Sequence, residues 1–301
     1  MNFDLRQSEK YADYMEHIGW QVEKLNGCQV FIRKIPFLPF SIIKIQRPNK
    51  ISPSILEEVD KLAKQHHALF VKLEPISTSR VSRLQMPSAS ADGGQAYLTS
   101  HGYLLDKSPL LPTKTRQLDL TLSEKDIFSR FSKDGRYEIR KAQFNKVVVQ
   151  KSQNIELFAN VWQQNALKRG FWLPFKKEIK SIYGAFGENA YLILSYLSDP
   201  DKPLAGVLIL INNQIASYFY ACSSPEGRKL SAPSLIVWEA IKLAKSKGCQ
   251  IFDFEGIYDE RFPNKSWLGF THFKKSFGGQ EVVYPGCFTK IYHPFLRFIP
   301  I

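Results

Sequence analysis

No two of the four cysteines, Cys28, Cys222, Cys249 and Cys287, form a CxxC pair. The chain therefore offers neither a disulfide framework nor a thiolate zinc site, and buried thiols in a reducing cytoplasm are the expectation. Its start, Met1-Asn2-Phe3-Asp4, has no basic stretch leading into an apolar run, so no secretory signal is read. Apolar runs of the ~20 residues that a spanning helix needs are absent too. Histidines are scattered: His66 and His67 are neighbours whose rings diverge, while His17, His101, His272 and His293 stand alone. No metal site is expected from them. Sustained heptads are missing, which excludes a coiled-coil arm. Acid is in short supply, with 28 Asp and Glu against 41 Lys and Arg, for a formal charge of +13. That balance favours a polyanionic partner such as nucleic acid, anionic headgroups or a phosphorylated precursor.

What is present is an ordinary globular composition, 44% hydrophobic and 23% charged over 301 residues, enough for one large domain or two small ones. A helix is read over 8–18, strands over 20–24 and 28–34 turned at Asn26-Gly27, and a strand over 40–46. Ser52-Pro53 opens a helix and 69–75 is a central strand, an alternation that predicts an α/β layer. The polar stretch 77–94 reads as a mobile loop carrying Arg80 and Arg83, and Tyr97 to Gly102 as a last short helical turn. A strand over 117–122 is taken to close a first unit, 1–122. The second unit, 123–286, opens with a helix capped by Ser123 and Asp126 and running through Ala142. A strand at 147–149, helices over 155–169 and 176–186, and strands over 191–198, 204–211 and 215–221 follow. The apolar ending, 287–301, is expected to pack back on the first unit.

The predicted helix from Ser123 carries Arg130, Lys133, Arg136 and Arg140 on one stripe, with Lys141 beside it, and the reading favoured over a solvated face is an anion-facing one. The stretch that organises the chain comes later. A helix over 231–247, stopped at Gly248, feeds a strand at Ile251-Phe252-Asp253-Phe254-Glu255-Gly256. After it stands Gly269-Phe270-Thr271-His272-Phe273-Lys274-Lys275-Ser276-Phe277-Gly278-Gly279. Two lysines between aromatics on a helical turn closed by paired glycines would place cationic tips in a cleft. Asp253 and Glu255 alternate on one strand and would share a face, where one could accept a proton or both could pair with the lysines.

The string from Trp238-Glu239-Ala240-Ile241 through Asp253-Phe254-Glu255-Gly256-Ile257 to Phe273-Lys274-Lys275-Ser276-Phe277-Gly278-Gly279 resembles the closing segment of the FemABX family. Gly135-Arg136-Tyr137-Glu138-Ile139-Arg140-Lys141-Ala142 is similar to that family's Thr-Arg-x-x-Ile-Arg-Lys-Ala signature, and Gln7-Ser8, Tyr11, Tyr14 and Gly19-Trp20 give a weaker match. The resemblance implies α/β mixed sheets in two tandem domains like the GCN5-related N-acetyltransferase (GNAT) fold. It also implies transfer of an amino acid from aminoacyl-tRNA to a peptidoglycan precursor without a cofactor, in the cytoplasm or peripherally at the inner membrane face. By it, Lys274 stabilises the oxyanion, Lys275 is the fallback if the register is off by one, and Phe273 shapes the pocket. Arg169, Tyr218 and Tyr220 would bind the acceptor, and the stripe of Arg136, Arg140 and Lys141 would hold phosphates. Met15 stands near where some members place an acceptor-binding lysine, a departure that weakens the expectation of a nucleotide-linked precursor and leaves a lipid-linked one as the alternative.

Two other classes compete. An acyl-CoA-dependent N-acyltransferase would need a phosphate cradle, but the loop Ser223–Ser231 has one glycine, Gly227, beside Glu226, although Arg228 and Lys229 offer charge. A non-catalytic RNA- or membrane-surface-binding module would need the basic stripe but not an intact Phe273-Lys274 pocket.

Overall fold

Serine caps set where the first helices begin. In the computed structural model, which describes residues 4–77, 91–168 and 175–293, Ser8 Oγ accepts from Tyr11 N–H at 3.2 Å and opens α1 (Glu9–His17). Strands β1 (Gln21–Leu25) and β2 (Cys28–Lys34) follow, then β3 (Ser41–Gln46). Ser52 caps α2 (Pro53–Gln65) with proline in the first turn, and β4 (Ala68–Glu74), α3 (Ala91–Ser100) and β5 (Leu104–Asp106) complete this half. Arg80, Arg83, Arg169 and the residues after His293 lie outside the described residues.

The second half runs β6 (Lys114–Asp119), α4 (Glu124–Ser129), α5 (Lys133–Phe144), β7 (Val148–Ser152), α6 (Ile155–Lys168), α7 (Lys176–Phe186), β8 (Ala190–Tyr196), β9 (Ala205–Asn212) and β10 (Ile215–Ser223). Then come α8 (Pro225–Lys229), α9 (Ala232–Ser246), β11 (Ile251–Asp253), α10 (Leu268–Lys275), β12 (Gln280–Val283) and β13 (Cys287–Ile291).

These strands make two mixed sheets, ordered β1-β2-β3-β4-β13-β5 and β12-β6-β11-β10-β9-β8-β7. The sheets exchange ends of the chain. The last strand, β13, lies between β4 and β5, with Phe288 opposite Leu73 and Leu105. In return β6, expected as the closing strand of a first unit ending at 122, pairs with β11 and β12 of the second sheet. Neither sheet is complete without a strand from the far side of the chain.

Three cores follow. One packs α2 on the first sheet around Val59, Val71 and Phe288. A second packs α5 and α9 on one face of the second sheet, around Ile139, Ile241 and Phe252. The third joins the halves, with Tyr11, Tyr14 and Met15 of α1 and Phe31 of β2 packed among Phe158, Ile179 and Phe186 of α6 and α7. Met15 is fully buried there, so a lysine at this position would carry its charge into an apolar core instead of toward an acceptor.

The single helix read from Ser123 is two. The chain breaks after Ser129, and Ser132 restarts it by accepting from Gly135 N–H at 3.0 Å. The break lets Ser132 N–H reach the carbonyl of Ser276 at 2.8 Å, and a Cβ on Gly135 would stand 2.7 Å from that same carbonyl. The start of α5 is thereby fastened to the end of α10.

Phe288 is 1% exposed at the centre of the exchanged strand. Phe288→Ala is expected to lower stability by about 3–5 kcal/mol, read from urea unfolding; a loss below about 1 kcal/mol would mean that the first core does not depend on β13.

Candidate active site

The site forms where two parallel strands part. β10 pairs with β11 only from Ile215–Ser217 to Ile251–Asp253. Just beyond, Phe219 is an extra residue against β9, between the Tyr218–Ile209 and Tyr220–Leu208 pairs. Such a bulge bends and twists its strand away from a straight ladder. On the other side the chain after Asp253 stays tied to β6, through Phe254 N–H to the Arg116 carbonyl and Ile257 N–H to the Lys114 carbonyl, both at 2.9 Å. Glu255 between them takes a left-handed backbone, φ 63°. Among the described residues no backbone N–H donates to the carbonyls of Phe254 and Gly256.

Lys274 answers both carbonyls. From α10 its Nζ donates to Phe254 O at 2.7 Å and to Gly256 O at 2.6 Å. The ammonium also lies 4.9 Å from the Phe270 ring centre and 5.7 Å from that of Tyr218, close enough for cation–π attraction. An ammonium has three N–H donors, so one remains without a hydrogen-bond partner among the described residues. Burial disfavours its charge and pulls the pKa down to about 8, against the opposing pull of Glu255 and Asp253. Lys275 points elsewhere and pairs with Glu281 at 2.8 Å on the surface. Phe273 packs its ring 5.2 Å from Phe277 on the core under α10. Gly278 and Gly279, at φ 74° and 82°, turn the chain sharply into β12, and a Cβ on Gly279 would stand 2.5 Å from the Gln117 carbonyl.

The two carboxylates do not share a face. Asp253 is the last residue of β11 and is 7% exposed. It accepts from Thr115 Oγ1 at 2.5 Å, from Gln117 Nε2 and from Glu255 N–H, both at 2.7 Å. Burial, then the charge of Glu255, push its pKa up to about 6. Glu255, turned by its left-handed backbone, takes Arg6 at 2.5 Å. Neither carboxylate hydrogen-bonds a lysine, as the alternating strand reading had allowed. Breaking a buried pair such as Arg6–Glu255 from one side typically costs about 3–5 kcal/mol. Arg6, Thr115 and Gln117 were not anticipated, whereas Phe270 is one of the aromatics read around the lysines. The only signal for the polar partners is an aspartate inside the apolar run Ile-Phe-Asp-Phe, which must be satisfied by something.

The bulge also separates the two tyrosines expected to act together. Tyr218 packs with Phe252 and Phe254 on the α9 side, whereas Tyr220 lies on the opposite core, 5.4 Å from the Trp162 ring. Arg136 is committed to the chain break: its Nη1 donates to the carbonyls of Ser129, at 2.9 Å, and Phe131. Arg140 lies over Phe128, 5.8 Å from the ring centre. The expected row of four cations is thus interrupted, since Arg130 ends α4 and only Lys133, Arg136 and Arg140 belong to α5. In the loop weighed as a phosphate cradle, Gly227 N–H is taken by Ser224 Oγ at 2.9 Å. A Cβ on Gly227 would stand 2.0 Å from the Leu204 carbonyl, so this glycine serves close packing. Among the described residues no three His, Cys, Asp or Glu side chains gather to hold a metal ion.

A pair of α/β units joined by exchanged strands, with a bulged strand parting from its parallel neighbour, defines a tandem GNAT-like fold. The FemAB family profile matches residues 5–202 and 197–298, and the chain belongs to that family. It is similar to a lipid II:glycine glycyltransferase of Staphylococcus haemolyticus, 24% identical over 232 residues, 71% of this chain and 54% of that enzyme. A lipid II:glycine glycyltransferase of Staphylococcus epidermidis is 19% identical over 356 aligned residues, covering 92% of this chain and 85% of the relative. Among solved structures, FemX superposes with a TM-score of 0.78 at 19% identity, over 100% of this chain and 95% of FemX. L-PGS from Bacillus licheniformis superposes at 0.59 and 11% identity, over 95% of this chain and 89% of that one. A tandem GNAT protein from the clavulanic acid pathway gives 0.53 and 10%, over 90% of this chain and 82% of that one. These likenesses establish the fold.

The depressed pKa of Lys274 has a thermodynamic consequence. Between about 8 and the ordinary 10.5 the unfolded chain binds the proton that the folded chain has released, so stability contributed by this group rises with pH across that window. Urea unfolding of wild type and Lys274→Met from pH 7 to 10.5 is expected to show a difference that grows in favour of wild type above about pH 8. Parallel curves would mean that the ammonium is not desolvated.

Proposed function

We propose that this chain is an aminoacyltransferase that moves an amino acid from aminoacyl-tRNA to the stem-peptide amine of a lipid-linked peptidoglycan precursor. The observation that carries the reading is the enclosed Lys274, fixed by two carbonyls and two aromatic faces, with one donor unbonded among the described residues. The names of the staphylococcal relatives supply the acceptor class.

The chemistry asks little more of the protein. An aminoacyl ester is already activated, and the acceptor amine attacks its carbonyl carbon to form a C–N bond. The carbonyl oxygen becomes an oxyanion, and the remaining N–H of Lys274 stabilises it in a largely dry setting. Collapse breaks the ester C–O bond. The amine loses one proton and the departing ribose oxygen gains one, so transfer between them balances the reaction. Asp253 and Glu255, already engaged with Thr115, Gln117 and Arg6, act as positioning residues whose negative charge favours the protonated ammonium. Tyr218 and Phe270 shape the pocket around it, with Phe273 supporting from below. The competing acyl-CoA reading loses its cradle, because Gly227 is packed against Leu204.

Transfer from charged tRNA to a lipid-linked precursor, followed by mass spectrometry, is expected to show product, with acetyl-CoA inactive as donor. Lys274→Ala should lower kcat by about a hundredfold to a thousandfold, while Lys275→Ala stays near wild type. The wild-type rate should fall above about pH 8 as Lys274 loses its proton, and Lys274→Arg should lose that alkaline limb. Equal rates in wild type and both alanine variants would remove the assignment.

A further inference from the structure

One end of the first sheet carries a feature that the transfer chemistry does not use. Between β2 and β3 the chain reads Ile35-Pro36-Phe37-Leu38-Pro39-Phe40. The turn is closed by Ile35 N–H to the Phe40 carbonyl at 2.9 Å and Leu38 N–H to the Ile35 carbonyl at 3.2 Å. It is braced from behind by the Phe40 ring, packed edge-on against His293 at 4.8 Å. Phe37 at the tip takes a left-handed backbone, φ 64°, and its side chain is fully exposed at 106%, with Leu38 exposed at 54%. A bulky residue in that conformation is a genuine outlier, and here the ring makes no return by packing.

The charge around the tip identifies the partner. Arg33 and Lys34 stand exposed at its base, at the end of β2 that leads into the turn. Beside the tip a groove of about 420 Å³ is lined by Lys34, Leu38, Phe40, His66 and His67, among others, with no carboxylate. A protein interface needs roughly 800 Å² on each partner, far more than two protruding side chains supply. An apolar point with two exposed cations at its base suits an anionic bilayer, where rings enter the headgroup boundary and cations meet lipid phosphates. We infer that the Ile35–Phe40 turn is a membrane-docking tip that inserts Phe37 and Leu38 into an anionic lipid surface. The inference deepens the reading of a lipid-linked acceptor and rests on it for its biological sense. Among the described residues no helix is long and apolar enough to cross a membrane, so docking of this kind would be peripheral.

The test uses the whole chain and vesicles without any precursor, so it can fail independently of the transferase reading. Co-sedimentation is measured with vesicles of phosphatidylcholine alone and of phosphatidylcholine mixed equally with phosphatidylglycerol. Binding is expected on the mixed vesicles, with weakening by salt, and the Phe37→Ser/Leu38→Ser double variant should lose about tenfold or more in affinity. Arg33→Gln with Lys34→Gln should weaken binding and flatten its salt dependence. In Phe37→Trp, emission should shift to the blue on the mixed vesicles and be quenched by brominated acyl chains. Wild-type binding by the double serine variant would overturn the inference, as would unshifted emission from Phe37→Trp. So would a concentration-dependent dimer in analytical ultracentrifugation that the double serine variant abolishes, since that would make the tip a contact between copies.

Discussion

Two backbone carbonyls without strand partners are the constraint around which the second sheet is arranged. Beyond the point where β10 parts from β11, the oxygens of Phe254 and Gly256 take no backbone N–H among the described residues, and a buried carbonyl left unpaired carries the desolvation cost of a lost hydrogen bond. Water or a neighbouring N–H could answer it; here an ammonium does, at 2.6 and 2.7 Å. That choice fixes much else. The charge must be enclosed by groups that tolerate it, hence the faces of Tyr218 and Phe270. Lys274 must approach from a short helix held in place at its far end, hence the bond from Ser132 to Ser276.

The same constraint couples the halves of the molecule. The strand exchange places β6 beside β11, so the partners of Asp253 come from β6: Thr115 and Gln117. Glu255 reaches instead to Arg6, which sits before α1 and is also 3.1 Å from Asp4. A continuous line of polar contacts runs from the first turn of the chain, through Arg6, Glu255 and Asp253, to the strand end whose carbonyls hold Lys274. The line runs beside the core that joins the halves, where Tyr11, Tyr14 and Met15 pack among Phe158, Ile179 and Phe186.

How much of this could be read from the sequence depends on how local each signal is. Ser8, Ser52 and Pro53 mark helix starts through contacts within four residues, and those helices begin where expected. The spacing of Phe273, Lys274, Lys275 and the glycines likewise gave a short helix and a sharp turn. Which lysine is enclosed is not a local property: it follows from which face of α10 meets the parted strands. The membership of β6 and β13 is not local either, since each pairs with strands more than a hundred residues away along the chain, β6 with β11 and β12 and β13 with β4 and β5. Two arrangements turn on small geometric features, and the second overturns the shared face read for Asp253 and Glu255. A single bulge residue, Phe219, sent Tyr218 and Tyr220 to opposite faces, and one left-handed residue, Glu255, took its carboxylate out of the alternation with Asp253. Ser132, read as one position in a continuous helix, caps a new one.

The identity of the cation itself is informative. An arginine at position 274 would bring a planar fork of five donors and a charge that never titrates. Two carbonyls of one turning strand, Phe254 and Gly256, converge on a point, which suits a tetrahedral ammonium better than a fork. Gly256 contributes to that convergence, because a Cβ there would stand 2.9 Å from Pro112 and push the strand out of line. An ammonium so placed is satisfied on two of its donors and incomplete on the third. That incompleteness separates a site from a structural pin: had Asp253 or Glu255 taken the third donor, Lys274 would be a buried ion pair with nothing left to offer an oxyanion. The bulge, the left-handed turn at Glu255 and the reach of Arg6 hold both carboxylates in other bonds, near enough to favour the charge and not in position to quench it.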